Sequence, residues 1–132
     1  MTTGAAIAVG AWVLLPAAMF GGDALMRLMI RGGVLSEHKQ TWFRAGHAHA
    51  GTLLLLLLLY IAFIDATSFG AGTKTIWTVV AAVGVLGVSG GLFLHMATGR
   101  PDSVSAGIRM TTISAVVLAV ASLALAYGLA TA

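Results

Sequence analysis

Seven consecutive leucines, Leu53–Leu59, constrain this sequence more than any other feature. They belong to one of four apolar runs, each long enough to cross a membrane as a helix of about 20 residues. Strands of a membrane barrel would instead alternate apolar and polar residues. We therefore predict an all-α protein whose single domain, residues 1–132, is a bundle of four transmembrane helices at about residues 5–26, 46–64, 76–96 and 108–129.

The composition also indicates a membrane protein. Hydrophobic residues make up 59% of the chain and charged residues only 8%, whereas a soluble domain carries about 25% charged residues. The lipid bilayer is therefore the expected partner, and nothing in the sequence suggests nucleic acid binding. The absence of cysteine excludes disulfides, thiolate metal sites and cysteine nucleophiles. No set of residues is typical of a catalytic site, so an enzyme is not the favoured interpretation.

The loops between the predicted helices differ in charge, and this difference predicts the orientation. The second loop has a single basic residue, Lys74, and the other six flank the first and third loops: Arg27, Arg31, Lys39, Arg44, Arg100 and Arg109. Because basic residues concentrate in cytoplasmic loops, we predict that loops one and three are cytoplasmic and that both termini lie outside. The N-terminal segment lacks the basic stretch of a cleaved signal peptide, so we expect the first run to be a retained helix.

The two halves of the chain show a faint similarity. "GGDALMR" ends the first predicted helix and "GGLFLHM" the third, while "AGHAHAGT" opens the second and "AGIRMTTI" the fourth. One interpretation is a parallel duplication of a helical hairpin, and the other is chance matching among many Gly and Ala residues. In the fourth helix a row of small residues predicts a packing face: Ala115, Ala119, Ser122 and Ala126.

All four histidines are predicted to lie at the same, cytoplasmic end of the bundle. His47 and His49 fall in the first turn of the second predicted helix, His95 ends the third, and His38 lies in the adjoining loop. The positive N-terminus of a helix disfavours a charged imidazole, which would leave a nitrogen of His47 free for a metal. Because His47 and His49 differ by about 200° around a helix, they cannot both face the bundle axis.

Glycines accompany two of these histidines. Gly51 lies one turn after His47, and Gly91 lies one turn before His95. Such glycines allow close packing of membrane helices, but they can also clear space for a flat macrocycle. Facing histidines from two helices are the ligands that a six-coordinate haem needs.

Asp23 and Arg27 are four residues apart in the first predicted helix. At this spacing the two side chains meet, which predicts a structural ion pair. The alternative is that Asp23 serves as a metal ligand or as the acceptor for a histidine N–H.

Three interpretations of the histidines remain open. In the first, they are interfacial residues bonded to carbonyls and headgroups. In the second, haem b is bound between His95 and His47, or His49 in its place, with Asp23 and Arg109 contacting the propionates or orienting the rings. In the third, a non-haem transition metal or a proton relay uses Asp23 and the three histidines.

Two stretches carry a resemblance to known sequences: "WFRAGHAHAG", residues 42–51, and "SGGLFLHM", residues 89–96. With them the chain resembles a group of small, uncharacterised bacterial four-helix membrane proteins over most of its length. The resemblance implies a location in the bacterial cytoplasmic (inner) membrane and no particular activity.

The expected function is therefore haem b binding, for electron transfer or sensing. One alternative is a structural or accessory subunit without a cofactor, which docks other membrane subunits or a second copy of the chain through its small-residue faces. The other is a non-haem metal or proton-relay protein, including a small transporter.

Overall fold

The computed structural model describes residues 1–32 and 35–132, which form four helices. Helix α1 spans Thr3–Arg31, α2 spans Glu37–Ile64, α3 spans Ala71–Thr98 and α4 spans Ala106–Ala130. All four are long and apolar enough to cross a membrane. This confirms the predicted all-α bundle and fits a multi-pass membrane protein. Gly33 and Val34, in the predicted first loop, lie outside the described residues.

Successive helices run in opposite directions, because the connections between them are short. The end of α1, the start of α2, the end of α3 and the start of α4 therefore lie together. We name this the histidine end, since it carries all four histidines, as predicted. A contact between α2 and α3 supports this arrangement, because Gly46 near the start of α2 packs against the ring of Phe93 near the end of α3.

Helix α2 begins at Glu37, whereas its apolar run predicts a start near residue 46. Ser36 caps the helix, because its hydroxyl accepts a hydrogen bond from the backbone N–H of Lys39. Apolar residues mark where a helix enters the membrane, but capping residues mark where it begins. His47 and His49 thus lie about three turns into α2. The prediction that the helix N-terminus acts on His47 is wrong, because that influence fades within the first turn.

Helix α3 is the centre of the bundle. Half of its most apolar 18-residue stretch is buried, compared with 6% for α1. The core cluster joins residues of all four helices: Ala11, Leu54, Leu57, Tyr60, Ile64, Ala81, Ala82, Val85, Leu118 and Ala121. Within it the hydroxyl of Tyr60 donates a hydrogen bond to the backbone oxygen of Ala121, 3.1 Å away. This bond satisfies the one polar atom of a side chain that is otherwise surrounded by apolar groups.

Helices α3 and α4 pack with their backbones close together. Three glycines of α3 face α4 residues that fill the space a side chain would need: Gly84 meets Leu118, Gly87 meets Ser114, and Gly91 meets Thr111 and Gly107. The hydroxyl of Thr111 also donates a hydrogen bond across the seam to the backbone oxygen of Val88. Lipid tails are as apolar as leucine, so van der Waals packing and such hydrogen bonds hold membrane helices together.

The row of small residues predicted as a packing face of α4 does not pack against the other helices of the bundle. All four of its residues are exposed on the outside of the bundle. The face that packs instead carries a different row of residues: Gly107, Ser114, Leu118, Ala121 and Gly128. Small residues occur all round this helix, so their size alone does not identify the side that meets α3.

Candidate functional site

The histidine end contains two separate groups of functional side chains. His95 lies with His38 in an open cleft beside the loop that joins α3 to α4. His47 lies on another side of the bundle, in a cavity between α1, α2 and α3. We name these the His95 cleft and the His47 cavity. Neither is lined by both His47 and His95.

His95 is buried, with 2% of its surface exposed, and its ring is held by a serine. Its Nδ1 atom lies 2.7 Å from the hydroxyl of Ser105, the N-cap residue of α4. That hydroxyl already accepts hydrogen bonds from the backbone N–H groups of Gly107 and Ile108. The proton of Ser105 is therefore the one available for this contact, and the serine donates it to His95. We infer that the remaining proton of a neutral His95 ring is on Nε2.

Two aromatic side chains of α2 complete the surroundings of His95. The Trp42 ring lies edge to face against it, with 4.3 Å between centroids. The His38 ring lies 5.1 Å away in a similar arrangement. The Nε2 atom of His38 is buried and has no hydrogen-bond partner within the described part of the chain. The first turns of α2, which are absent from the predicted apolar span, thus supply the neighbours of His95.

The His95 cleft has a volume of about 940 Å³ and carries charges of both signs. Lys39 and Arg100 line it together with Glu37 and Asp102. The formal charges of these four side chains sum to zero.

His47 packs against two adjacent glycines of α1. A methyl group added at Gly22 would lie 2.6 Å from Nε2 of His47, and one added at Gly21 would lie 3.6 Å from Nδ1. The Nδ1 atoms of His49 and His95 are each hydrogen bonded, whereas neither ring nitrogen of His47 makes a hydrogen bond to any described residue. The glycine pair therefore gives this imidazole room without supplying a polar partner.

The His47 cavity has a volume of about 340 Å³, within the range of about 300–1,000 Å³ typical of small-molecule sites. Its walls are apolar apart from two side chains, His47 and Ser89. The lining residues are Leu14, Ala17, Ala18 and Gly21 of α1, Phe43, His47, Ala50 and Leu54 of α2, and Val85, Leu86, Ser89, Gly90 and Phe93 of α3. An apolar pocket with a few polar groups is the usual form of a ligand site.

Ser89 is the unusual member of this lining. Its side chain is 8% exposed, and its hydroxyl oxygen has no hydrogen-bond partner among the described residues. Other hydroxyls in α3 and α4 donate a hydrogen bond to the backbone carbonyl four residues earlier. Examples are Thr78, Thr98, Thr112 and Ser122. A buried hydroxyl without a partner costs free energy, and the residue that carries this one lines the cavity.

The other predicted site residues lie apart from both groups. Nδ1 of His49 is hydrogen bonded to the backbone oxygen of Ala45 in its own helix, and the side chain is exposed. Gly51 has open space where a side chain would be, and Arg109 is exposed near the start of α4. The space beside Gly91 is filled by α4, so this glycine serves helix packing.

Asp23 forms the predicted ion pair with Arg27, with 2.8 Å between Oδ2 and Nε. Both side chains are more than half exposed, and a pair of this kind contributes little to stability. Within residues 1–32 and 35–132, no group of three or more His, Cys, Asp or Glu side chains is arranged to hold a metal ion. The candidate metal set of Asp23, His47, His49 and His95 is thus not gathered in one place.

Three residues are absent from the predicted site. Ser105 and Trp42 contact His95, and Ser89 lines the His47 cavity. A usable signal existed for Ser105, because "SVSAG" is typical of a capped helix start. No comparable signal existed for Ser89, since the cavity that it lines depends on how α1, α2 and α3 are placed.

Comparison of the chain with models of protein families, with curated proteins and with solved structures found no match.

Proposed function

We propose that this membrane protein binds a small lipophilic molecule in the His47 cavity. The observation that carries the proposal is an apolar cavity whose lining includes two polar residues, His47 and Ser89, with side chains that make no hydrogen bond to any described residue. A ligand with polar atoms would satisfy the Ser89 hydroxyl while its apolar part fills the remaining volume.

Access from the lipid supports the same proposal. Leu14 of α1 and Leu86 of α3 line the cavity and are also 44% and 53% exposed on the outer surface of the bundle. We therefore infer that the cavity opens between these two helices, toward the side where lipid tails lie. A molecule dissolved in the bilayer can enter there without crossing water.

Haem b is a second candidate ligand for the same cavity. The free nitrogens of His47 favour it, because a histidine can act as an axial ligand of haem iron. His47 would then be the protein ligand, with His95 held separately by Ser105. We expect a purified haem protein to show a Soret band that is lost in His47→Ala and retained in His95→Ala. Loss of the band in both variants would favour the predicted pair of histidine ligands instead.

We place the protein in the bacterial cytoplasmic membrane, with the histidine end in the cytoplasm. The support for this orientation is the charge of the loops, since six of the seven basic residues lie at or near that end. The His47 cavity would then open within the inner leaflet.

Direct binding of a fluorescent lipophile tests the binding function. 1-Aminoanthracene, whose emission rises in apolar pockets, is titrated into the detergent-purified protein. We expect saturable binding that is lost in Ala18→Phe and Ala50→Phe, because both side chains line the cavity and the larger ring fills it. Ala62→Phe is the matched control, since this alanine of α2 is exposed. Equal binding by all these variants would contradict the proposal.

The accessory-subunit interpretation predicts a different result. A protein that only docks other membrane helices binds no lipophile in this cavity, and it remains colourless and free of ligand when purified. Organic extraction of the purified protein followed by mass spectrometry distinguishes the two, because a bound lipophile is recovered in proportion to protein only if the cavity is occupied.

A further inference from the structure

We propose that the ligand of the His47 cavity is a lipid-soluble quinone or its quinol, whose ring lies between His47 and Ser89. This inference rests on the proposed function and names the chemical class of the ligand. Three features of the cavity carry it: the absence of charge, the placement of the two polar groups, and the aromatic walls with an opening to lipid.

The ligand must have an uncharged headgroup. None of the described residues that line the cavity is Asp, Glu, Lys or Arg. Burying an ionised carboxylate or phosphate in such surroundings is costly unless it is paired. Fatty acids and phospholipid headgroups therefore fit the cavity poorly, whereas a carbonyl or hydroxyl compound fits it well.

The ligand must also bear more than one polar atom. His47 belongs to α2 and Ser89 to α3, so these two residues line the cavity from different helices. A serine hydroxyl can donate a hydrogen bond or accept one, and a neutral imidazole has one donor and one acceptor nitrogen. A quinone places carbonyl acceptors on opposite sides of a flat ring, and a quinol places hydroxyls at the same positions. Either form can satisfy both residues.

The walls and the opening suit the rest of such a molecule. The rings of Phe43 and Phe93 both line the cavity and meet edge to face, with centroids 5.6 Å apart. Aromatic side chains favour contact with another flat ring. About 340 Å³ gives room for a headgroup rather than for a whole lipid, so an apolar tail would leave through the opening between Leu14 and Leu86. Quinones of biological membranes combine a flat ring with a long apolar tail in this way.

Equilibrium dialysis of three probes against the detergent-purified full chain tests the inference. The probes share a ten-carbon tail: decylubiquinone has an uncharged quinone ring, decylbenzene has a ring without polar atoms, and decanoate has a charged headgroup. We expect decylubiquinone to bind at least tenfold more tightly than either of the others. In Ser89→Ala, decylubiquinone binding should weaken about three- to tenfold, the loss expected for one hydrogen bond, while decylbenzene binding stays the same.

A matched variant separates this effect from a loss of folding. Ser114→Ala makes the same chemical change at another buried serine, which lies on α4 outside the His47 cavity, and it should leave quinone binding unchanged. The infrared carbonyl band of the bound quinone gives a second readout. It should lie at lower frequency than in detergent alone, and Ser89→Ala should move it back.

The possible outcomes distinguish the two proposals. If the wild-type protein binds decylbenzene or decanoate as well as decylubiquinone, or if Ser89→Ala leaves quinone binding and the carbonyl band unchanged, the quinone assignment is overturned while lipophile binding stands. If the wild-type protein binds none of the three probes, the proposed function itself is wrong.

Discussion

The hydroxyl of Ser105 lies 2.7 Å from Nδ1 of His95, and this contact joins the last turn of α3 to the first turn of α4. The same oxygen accepts two backbone N–H groups at the start of α4. One serine thus caps a helix and fixes the orientation of a buried imidazole. Gly99 makes room for the arrangement, because the His95 ring occupies the space that a side chain at that position would need.

Replacing Ser105 should destabilise the bundle more than replacing another N-cap serine. Ser105→Ala removes two capping hydrogen bonds and the partner of a buried histidine, so we expect a loss of about 2–3 kcal/mol in the free energy of unfolding. Ser36→Ala removes only the cap of α2, at a cost of about 1 kcal/mol. Denaturant titration in detergent micelles measures both. Equal losses would contradict the double role of Ser105.

Nitrogen NMR tests the hydrogen-bond direction at the same residue. If Ser105 donates to Nδ1, a neutral His95 carries its proton on Nε2, and its two ring nitrogens have separate shifts that identify this tautomer. In Ser105→Ala the preference for this tautomer should weaken. A wild-type spectrum with the proton on Nδ1 would reverse the assignment.

Adding a methyl group at the α3–α4 seam should be costly. In Gly91→Ala the new carbon would lie 2.6 Å from the backbone oxygen of Gly107, so the helices must separate. We expect a loss of about 1–3 kcal/mol, the usual cost of overpacking. Gly51→Ala is the control, because nothing lies within 4 Å of the added carbon. That variant should be neutral or stabilised by up to about 1 kcal/mol, since alanine favours a helix.

Two adjacent glycines of α1 allow a closely matched test of His47. The methyl group of Gly22→Ala would lie 2.6 Å from Nε2 of His47 and should push the ring away, whereas that of Gly21→Ala makes an ordinary contact at 3.6 Å. We therefore expect Gly22→Ala to shift the NMR signals of His47 and to weaken ligand binding severalfold. Gly21→Ala should change the His47 signals less, and the reverse order of these shifts would show that His47 lies elsewhere.

The absence of native cysteine makes the orientation easy to measure. Val104 and Ala66 are both exposed, in the α3–α4 and α2–α3 connections respectively. In intact spheroplasts, a membrane-impermeant maleimide should label Ala66→Cys and should leave Val104→Cys unlabelled until the cells are lysed. The opposite pattern would place the histidine end outside.

Much of the fold could be predicted because its causes are local in the sequence. The length of each apolar run sets the four spans, and the order of the runs brings all the histidines to one end. Asp23 and Arg27 meet because their spacing on one helix dictates it. The predicted start of α2 was wrong. Residues 37–45 are helical but largely polar, so an apolar run does not include them.

The sites were harder to predict because they depend on how each helix is rotated about its axis. His47 and His95 lie at one level, as their spans require, yet one packs against α1 and the other against α4. The rotation of α2 and α3 about their axes depends on which glycines allow a neighbouring helix to approach. The sequence has many glycines, so it does not identify these. Gly91 was assigned to a cofactor, but the backbone of α4 fills the space beside it.

By itself the sequence determined that this chain forms four membrane-spanning helices and that its imidazoles lie at one end of the bundle. Both properties depend only on the length and order of the apolar runs, and not on which helices pack together. Only the tertiary structure decided which imidazole meets which partner. The partners of each imidazole belong to other helices, and they depend on which helix backbones pack closely together. Ser89 is the clearest case, since residues of three helices together form the cavity that it lines.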